Sequence, residues 1–210
     1  MTLKSYELLS LLQNEKLAIT ESLRVNKNVS IFDHQIRAAQ RIKNDFGGSA
    51  LLSDEVGLGK TVEAGIIIKE FLVTSLAKKV LILAPPSLLP QWQDEMMSKF
   101  NLDFVSQKGD SRFVNVFSHD LLLMSHSSAV FPNYSESLKD TFWDILVVDE
   151  AHSMKNPSTR KHQLVKNLSK RHLLLLSATP VQNNLSELYS IVDSLRPGYL
   201  GTWGQFKEKY

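Results

Sequence analysis

The stretch SALLSDEVGLGKTVEAGIIIKEF, residues 49–71, runs from a short apolar segment through a glycine-punctuated polar loop into an apolar segment of helical length. Strand, loop and helix in that order build a phosphate-binding loop, whose backbone N–H groups and helix N-terminus face an anion. The usual pattern, G-x-x-x-x-G-K-[ST], ends correctly in Gly59-Lys60-Thr61 but has Asp54 where its first glycine belongs. The competing reading is a tight turn with a solvated lysine. Three of the nine glycines fall between Gly57 and Gly65, which predicts a loop pressed closely against a neighbour.

Working outward, residues 2–24 read as a polar amphipathic helix and RVNKNVS as a linker, so residues 1–30 form an N-terminal extension to a domain over 31–210. Asp33 is placed to cap a helix through Phe46, stopped by Gly47-Gly48. Further helices are expected over 61–76, 86–100 and 183–197. KVLILAP, DILVVDE and HLLLLSATP are continuous apolar runs, and FVNVF or LLLMS supplies another strand. Strands that are apolar throughout and alternate with helices predict an α/β fold, a mostly parallel sheet with helices on both faces. Ligands of such sheets bind at the carboxyl ends of the strands, where SDEVGLGKT, APPS, MSHSS, DEAH and SATP all fall.

Composition narrows the classes. Of 210 residues, 43% are hydrophobic and 22% charged, enough for a full core, and the formal net charge of +2 neither demands nor excludes nucleic acid. The absence of cysteine removes disulfides, thiolate nucleophiles and cysteine-based zinc sites. No signal-peptide pattern and no bilayer-length apolar run is visible, so the expectation is a soluble cytoplasmic protein without a membrane partner.

The chemistry expected of the loop needs a second element. Lys60 would reach the β- and γ-phosphates and the Thr61 hydroxyl would ligate Mg²⁺, which also requires a carboxylate on a neighbouring strand. ILVVDEAH supplies one: Asp149 would hold the metal and Glu150 would orient and deprotonate the attacking water. An Asp-Glu pair at a strand end is ordinarily just solvated, but its conjunction with the loop favours the functional reading. None of the six histidines has a partner at helical-turn spacing that would make a zinc site.

With these motifs in this order, residues 30–210 resemble the first RecA-like lobe of superfamily-two helicases, and within them the Swi/Snf-type ATPases. DEVGLGKTVEAG is most similar to the bacterial RNA-polymerase-associated ATPase branch, and the acidic start at Asp54 is that family's own variant. The resemblance implies an ATP site formed by Asp54, Glu55, Val56, Gly57, Leu58, Gly59, Lys60 and Thr61, with Gln35 of FDHQ reading adenine. It implies that His152, Ser177 and Thr179 couple hydrolysis to movement, although Ser177-Ala178-Thr179-Pro180 departs from the Thr-Gly-Thr-Pro of many members. Trp92, in the family's Gln-Trp segment, is assigned to packing. Nucleic-acid contacts would come from Pro86-Ser87, Ser125-His126 and Lys155-Asn156.

Charge adds a weaker signal: Lys155, Arg160, Lys161, Lys166, Lys170 and Arg171 lie between Ser153 and His172 without an acidic residue. A solvated helix face explains this run equally well. The implied activity is hydrolysis of ATP with Mg²⁺, coupled to movement on nucleic acid, duplex DNA ahead of RNA. The implied partners are a second RecA-like lobe, absent from these residues, and RNA polymerase or another nucleoprotein. The location would be the nucleoid in a bacterium or the nucleus in a eukaryote. Two other classes compete: a self-contained small P-loop enzyme, for which no Asn-Lys-x-Asp guanine reader is present, and a nucleotide-dependent binding module without motor activity.

Overall fold

The computed structural model describes residues 16–19, 31–53, 59–107, 111–154, 159–178 and 185–209. Along the chain these form α1 (Asp33–Asn44), β1 (Ala50–Leu52), α2 (Lys60–Val73), β2 (Val80–Ala84), α3 (Leu89–Phe100), β3 (Val105–Ser106), β4 (Leu121–Ser125) and α4 (His126–Ala129). The second half adds α5 (Pro132–Asp140), β5 (Trp143–Val148), α6 (Arg160–Asn167), β6 (Lys170–Leu176), α7 (Leu185–Leu195) and α8 (Trp203–Lys209). The strands make one six-stranded sheet in the order β1-β6-β5-β2-β4-β3. Every pairing among the described residues is parallel.

Side-chain alternation divides the core. Val80, Ile82 and Ala84 of β2 join Ile145, Val147, Leu174 and Leu176 on the face covered by α1, α2 and α3. Leu81 and Leu83 join Leu146, Val148, Leu173 and Leu175 on the face covered by α4, α5, α6 and α7. Neither face meets water, and for that reason the strands read as unbroken apolar runs. Each such side chain contributes about 1.5–3 kcal/mol by leaving water.

Several local expectations are corrected. Asp33 is the first residue of α1, not its cap. Phe32 holds the cap position, and its N–H donates to Gln35 Oε1 at 3.0 Å, half of a capping box. FVNVF is a 3₁₀ segment within Ser111–Ser118, and LLLMS is the strand. Phe113, Val116 and Phe117 are spaced i, i+3 and i+4, a helical face that buries on one side. Gly65 belongs to α2, not to a loop. A Cβ there would collide with the Phe100 ring, so glycine permits the close α2–α3 approach.

Within the extension expected to be helical, the described residues 16–19 form a turn. Leu17 and Ile19 are buried in the first core, and the Ile19 N–H donates to Glu70 Oε2 at 3.2 Å, an acceptor outside any helix backbone. The remainder of residues 1–30 lies outside the described residues.

Glu70 is fully buried on α2 and pairs with Lys43 of α1 at 2.9 Å, so one ion pair ties both helices to the extension. Removing one partner strands a buried charge, whereas replacing both by apolar groups does not. Lys43→Met should therefore cost about 3–5 kcal/mol, read as a lowered urea midpoint. The double variant Lys43→Met with Glu70→Leu should recover most of that loss.

A second prediction concerns His126, buried at the start of α4, whose Nε2 finds no hydrogen-bond partner among the described residues. Burial first, and then the positive charge of Lys161, lower its pKa from 6.5 to about 4. The unfolded chain thus takes up a proton that the folded chain refuses. Stability should fall as pH drops from 6.5 toward 4, by about 3 kcal/mol in total. Urea melts across this range should show that slope in the wild type and lose it in His126→Gln.

Candidate nucleotide site at the carboxyl rim of the sheet

Because all strands run parallel, their carboxyl ends share one rim. Two hydrogen bonds between adjacent strand ends order it. Ser177 N–H donates to Leu52 C=O at 3.0 Å, joining the exits of β6 and β1. Asp149 N–H donates to Leu83 C=O at 2.8 Å, joining β5 and β2. The sequence GKT therefore starts α2 beside the exits of the strands that carry SA and DE.

Gly59 caps α2 with φ 89° and ψ 33°, a left-handed conformation suited to glycine. A Cβ at this position would collide with Gln35 Nε2. Gln35, 2% exposed, thus reaches from the first turn of α1 to the end of the phosphate loop, its carbonyl oxygen held by Phe32 N–H. Lys60 and Thr61 occupy the first turn of α2, both partly buried. Asp54, Glu55, Val56, Gly57 and Leu58 lie outside the described residues, as do Lys155, Asn156 and Thr179.

Asp149 follows the last residue of β5 and is buried. Its Oδ1 accepts from Glu150 N–H at 2.8 Å, and its Oδ2 accepts from the Trp92 indole Nε1 at 2.8 Å. Burial raises its pKa above the ordinary carboxylate value, the bonds from Trp92 and Glu150 N–H oppose the rise, the Glu150 charge adds to it, and the Lys60 charge opposes it. Lys60, in the first turn of α2, is the cation whose charge acts on Asp149. Glu150 adopts φ 50°, an uncommon conformation for a non-glycine residue that costs about 1–3 kcal/mol and is concentrated at functional sites. Its side chain is partly exposed and meets His152 Nδ1 at 2.9 Å.

The other predicted residues divide by exposure. Pro86 and Ser87 are exposed just beyond β2. Ser125 and His126 are buried. Ser125 Oγ caps α4 by accepting Ser128 N–H at 3.1 Å, and only Ser127 of this corner is fully exposed. Ser177 is buried at the exit of β6.

The described members of the basic run do not share one surface. Lys170 Nζ donates to Val165 C=O at 2.8 Å, closing the end of α6. Lys166 pairs with Asp193 at 3.3 Å. Arg171 meets Asp144 at 3.7 Å, at the opposite end of the sheet from Asp149. Arg160 and Lys161 lie in the first turn of α6, and the Lys161 charge acts on His126. The bond from Trp92 to Asp149 was the feature missed. Its signal is general: a buried indole N–H needs an acceptor, which packing alone does not supply.

No group of three or more His, Cys, Asp or Glu side chains among the described residues could cage a metal ion. Mg²⁺ commonly takes one or two carboxylates and completes its octahedron with phosphate oxygens and water. The Asp149 carboxylate and the Thr61 hydroxyl are a fitting donor set. No helix among the described residues is long and apolar enough to cross a membrane.

The SNF2-related domain family matches residues 12–210. The chain is 41% identical over 177 residues to the ATP-dependent helicase YqhH of Bacillus subtilis, covering 84% of this chain and 31% of YqhH. It is 34% identical over 211 residues to the RNA polymerase-associated protein RapA of Cronobacter sakazakii, covering 94% of this chain and 22% of RapA. Among solved structures it resembles the Sulfolobus solfataricus SWI2/SNF2 ATPase core in complex with dsDNA, with a TM-score of 0.76 and 30% identity over 88% of this chain and 40% of that one. It thus spans about a third of YqhH and less of RapA. The RecA-like sheet and the motif order agree with these likenesses, and the chain belongs to the SNF2-related family of helicase-like ATPase domains.

Proposed function

We propose that residues 31–210 are the first RecA-like lobe of a DNA-dependent ATPase that moves along duplex DNA, with residues 1–30 as its extension. The observation that carries this is that Gly59, packed against Gln35, opens α2 while the Asp149 carboxylate lies buried at the carboxyl end of β5. Lys60 binds the outer phosphates, while Thr61 and Asp149 hold Mg²⁺, which supplies charge neutralisation at the transferred phosphoryl group. Glu150 orients and deprotonates the water, Gln35 reads adenine, and the residues Asp54 to Leu58 complete the loop. His152, Ser177 and Thr179 couple the site to motion.

Pro86, Ser87, Lys155 and Asn156 contact the nucleic-acid backbone, and Ser125 and His126 shape the turn that presents Ser127. A second lobe contributes the remaining cations and the other half of the grip. RNA polymerase or another nucleoprotein is the proposed partner, a reading supported by the likeness to RapA. The proposed setting is cytoplasmic, on the nucleoid in a bacterium or in the nucleus of a eukaryote. The likeness to the Sulfolobus core, which was solved in complex with duplex DNA, favours DNA over RNA.

Lys60→Ala should abolish ATP binding, because it removes the side-chain cation of the loop. Fluorescent-ATP titration checks this, and equal affinities would remove Lys60 from the site. The 210-residue chain alone should hydrolyse ATP at close to background, since an arginine on the far side of the γ-phosphate contributes roughly 10³–10⁵ in rate, or about 4–7 kcal/mol. Single-turnover assays with Glu150→Gln as the blank test this. Brisk DNA-stimulated turnover by the chain alone, lost in that blank, would show a self-sufficient domain.

A further inference from the structure

Two tryptophans lie in the core, and they use their indole N–H groups differently. Trp143 Nε1 donates to Leu138 C=O at 3.1 Å, a neighbouring backbone acceptor that satisfies it locally. Trp92, 1% exposed on α3, donates instead across the fold to a carboxylate at the end of β5. A packing role requires the ring but not that acceptor. The bond holds Oδ2 while the Glu150 N–H holds Oδ1. Two donors on separate elements fix both the position and the rotation of one carboxylate. Each carboxylate oxygen can accept more than one bond, so acceptor capacity is left on both oxygens after these two donors are served.

We propose that Trp92 is a positioning residue for Asp149: its indole N–H sets the carboxylate rotamer that presents an oxygen to the magnesium ion of a bound nucleotide. This rests on the reading of Asp149 as the metal-holding carboxylate. Mg²⁺ tolerates little departure from octahedral geometry at about 2.0–2.1 Å, so a carboxylate free to rotate is a poorer ligand than one held in place. Partners that orient a metal ligand without touching the metal commonly account for about 10–100-fold in affinity. Trp92, in the first turn of α3, therefore serves the site through Asp149.

The experiment is titration of the chain with fluorescent ADP, in excess Mg²⁺ and again in EDTA, for wild type, Trp92→Phe and Asp149→Asn. Phenylalanine keeps an aromatic ring in the core and removes the donor. Trp92→Phe should bind ADP in EDTA within about twofold of wild type, yet lose about 10–100-fold of the gain that Mg²⁺ confers. An undiminished Mg²⁺ gain in Trp92→Phe overturns the proposal. A wild type indifferent to Mg²⁺ overturns the reading of Asp149 itself and the proposal with it.

Should Trp92→Phe fail to fold, the indole ¹H–¹⁵N signals of wild type and Asp149→Asn provide the readout. The chain has three tryptophans. The Trp92 signal should shift on addition of Mg²⁺ with ADP and again in Asp149→Asn, while the Trp143 signal stays in place. A Trp92 signal that ignores both changes overturns the proposal.

Discussion

A parallel sheet covered on both faces allows polar chemistry only at its ends, and the rest of the molecule follows from that constraint. The strand interiors are filled by aliphatic side chains packed into one helical layer or the other. Backbone N–H and C=O groups inside the sheet are consumed by the ladder, so unspent hydrogen-bonding capacity collects where strands stop. Asp149, Glu150, Ser177, Pro86 and Ser87 all sit within a few residues of a strand terminus. Their convergence is a product of topology: parallel strands put every carboxyl end on the same side.

Two of the buried carboxylates show how such a group is accommodated, at the rim and away from it. Asp149 gives up most of its hydration, and the two N–H groups that hold it replace water with fixed dipoles. Glu70 solves the same problem away from the rim with a lysine from a different helix. Glu70 is thus matched by a full charge and serves architecture. Asp149, held by two neutral donors, keeps acceptor capacity for a cation. The difference between a structural and a chemical carboxylate lies in what its partners leave unsatisfied.

Much of this was legible in the residues. Unbroken apolar runs announced strands buried on both faces, and Gly59-Lys60-Thr61 with Asp149-Glu150 marked the two halves of the site because both abut such runs. Local periodicity misled where its context was short. FVNVF has strand-forming residues but helical spacing, and Gly65 was grouped with loop glycines although its tight contact is with a helix. The basic run left a shared surface and a solvated helix face equally open. The five described cations, Arg160, Lys161, Lys166, Lys170 and Arg171, are separated by the path of α6 and β6, which carries Arg171 to the far end of the sheet and makes Lys170 a helix cap. Charge counting has no access to that geometry. Trp92 escaped for a related reason: sequence shows that an indole is buried but not which acceptor it meets.

The hydrogen bond from Ser177 N–H to Leu52 C=O has a mechanical consequence. It lies at the last rung between β1 and β6, so the strand that feeds the phosphate loop and the strand that feeds the SATP segment share a rigid root. Two tethers anchored at one point cannot be displaced independently at their bases.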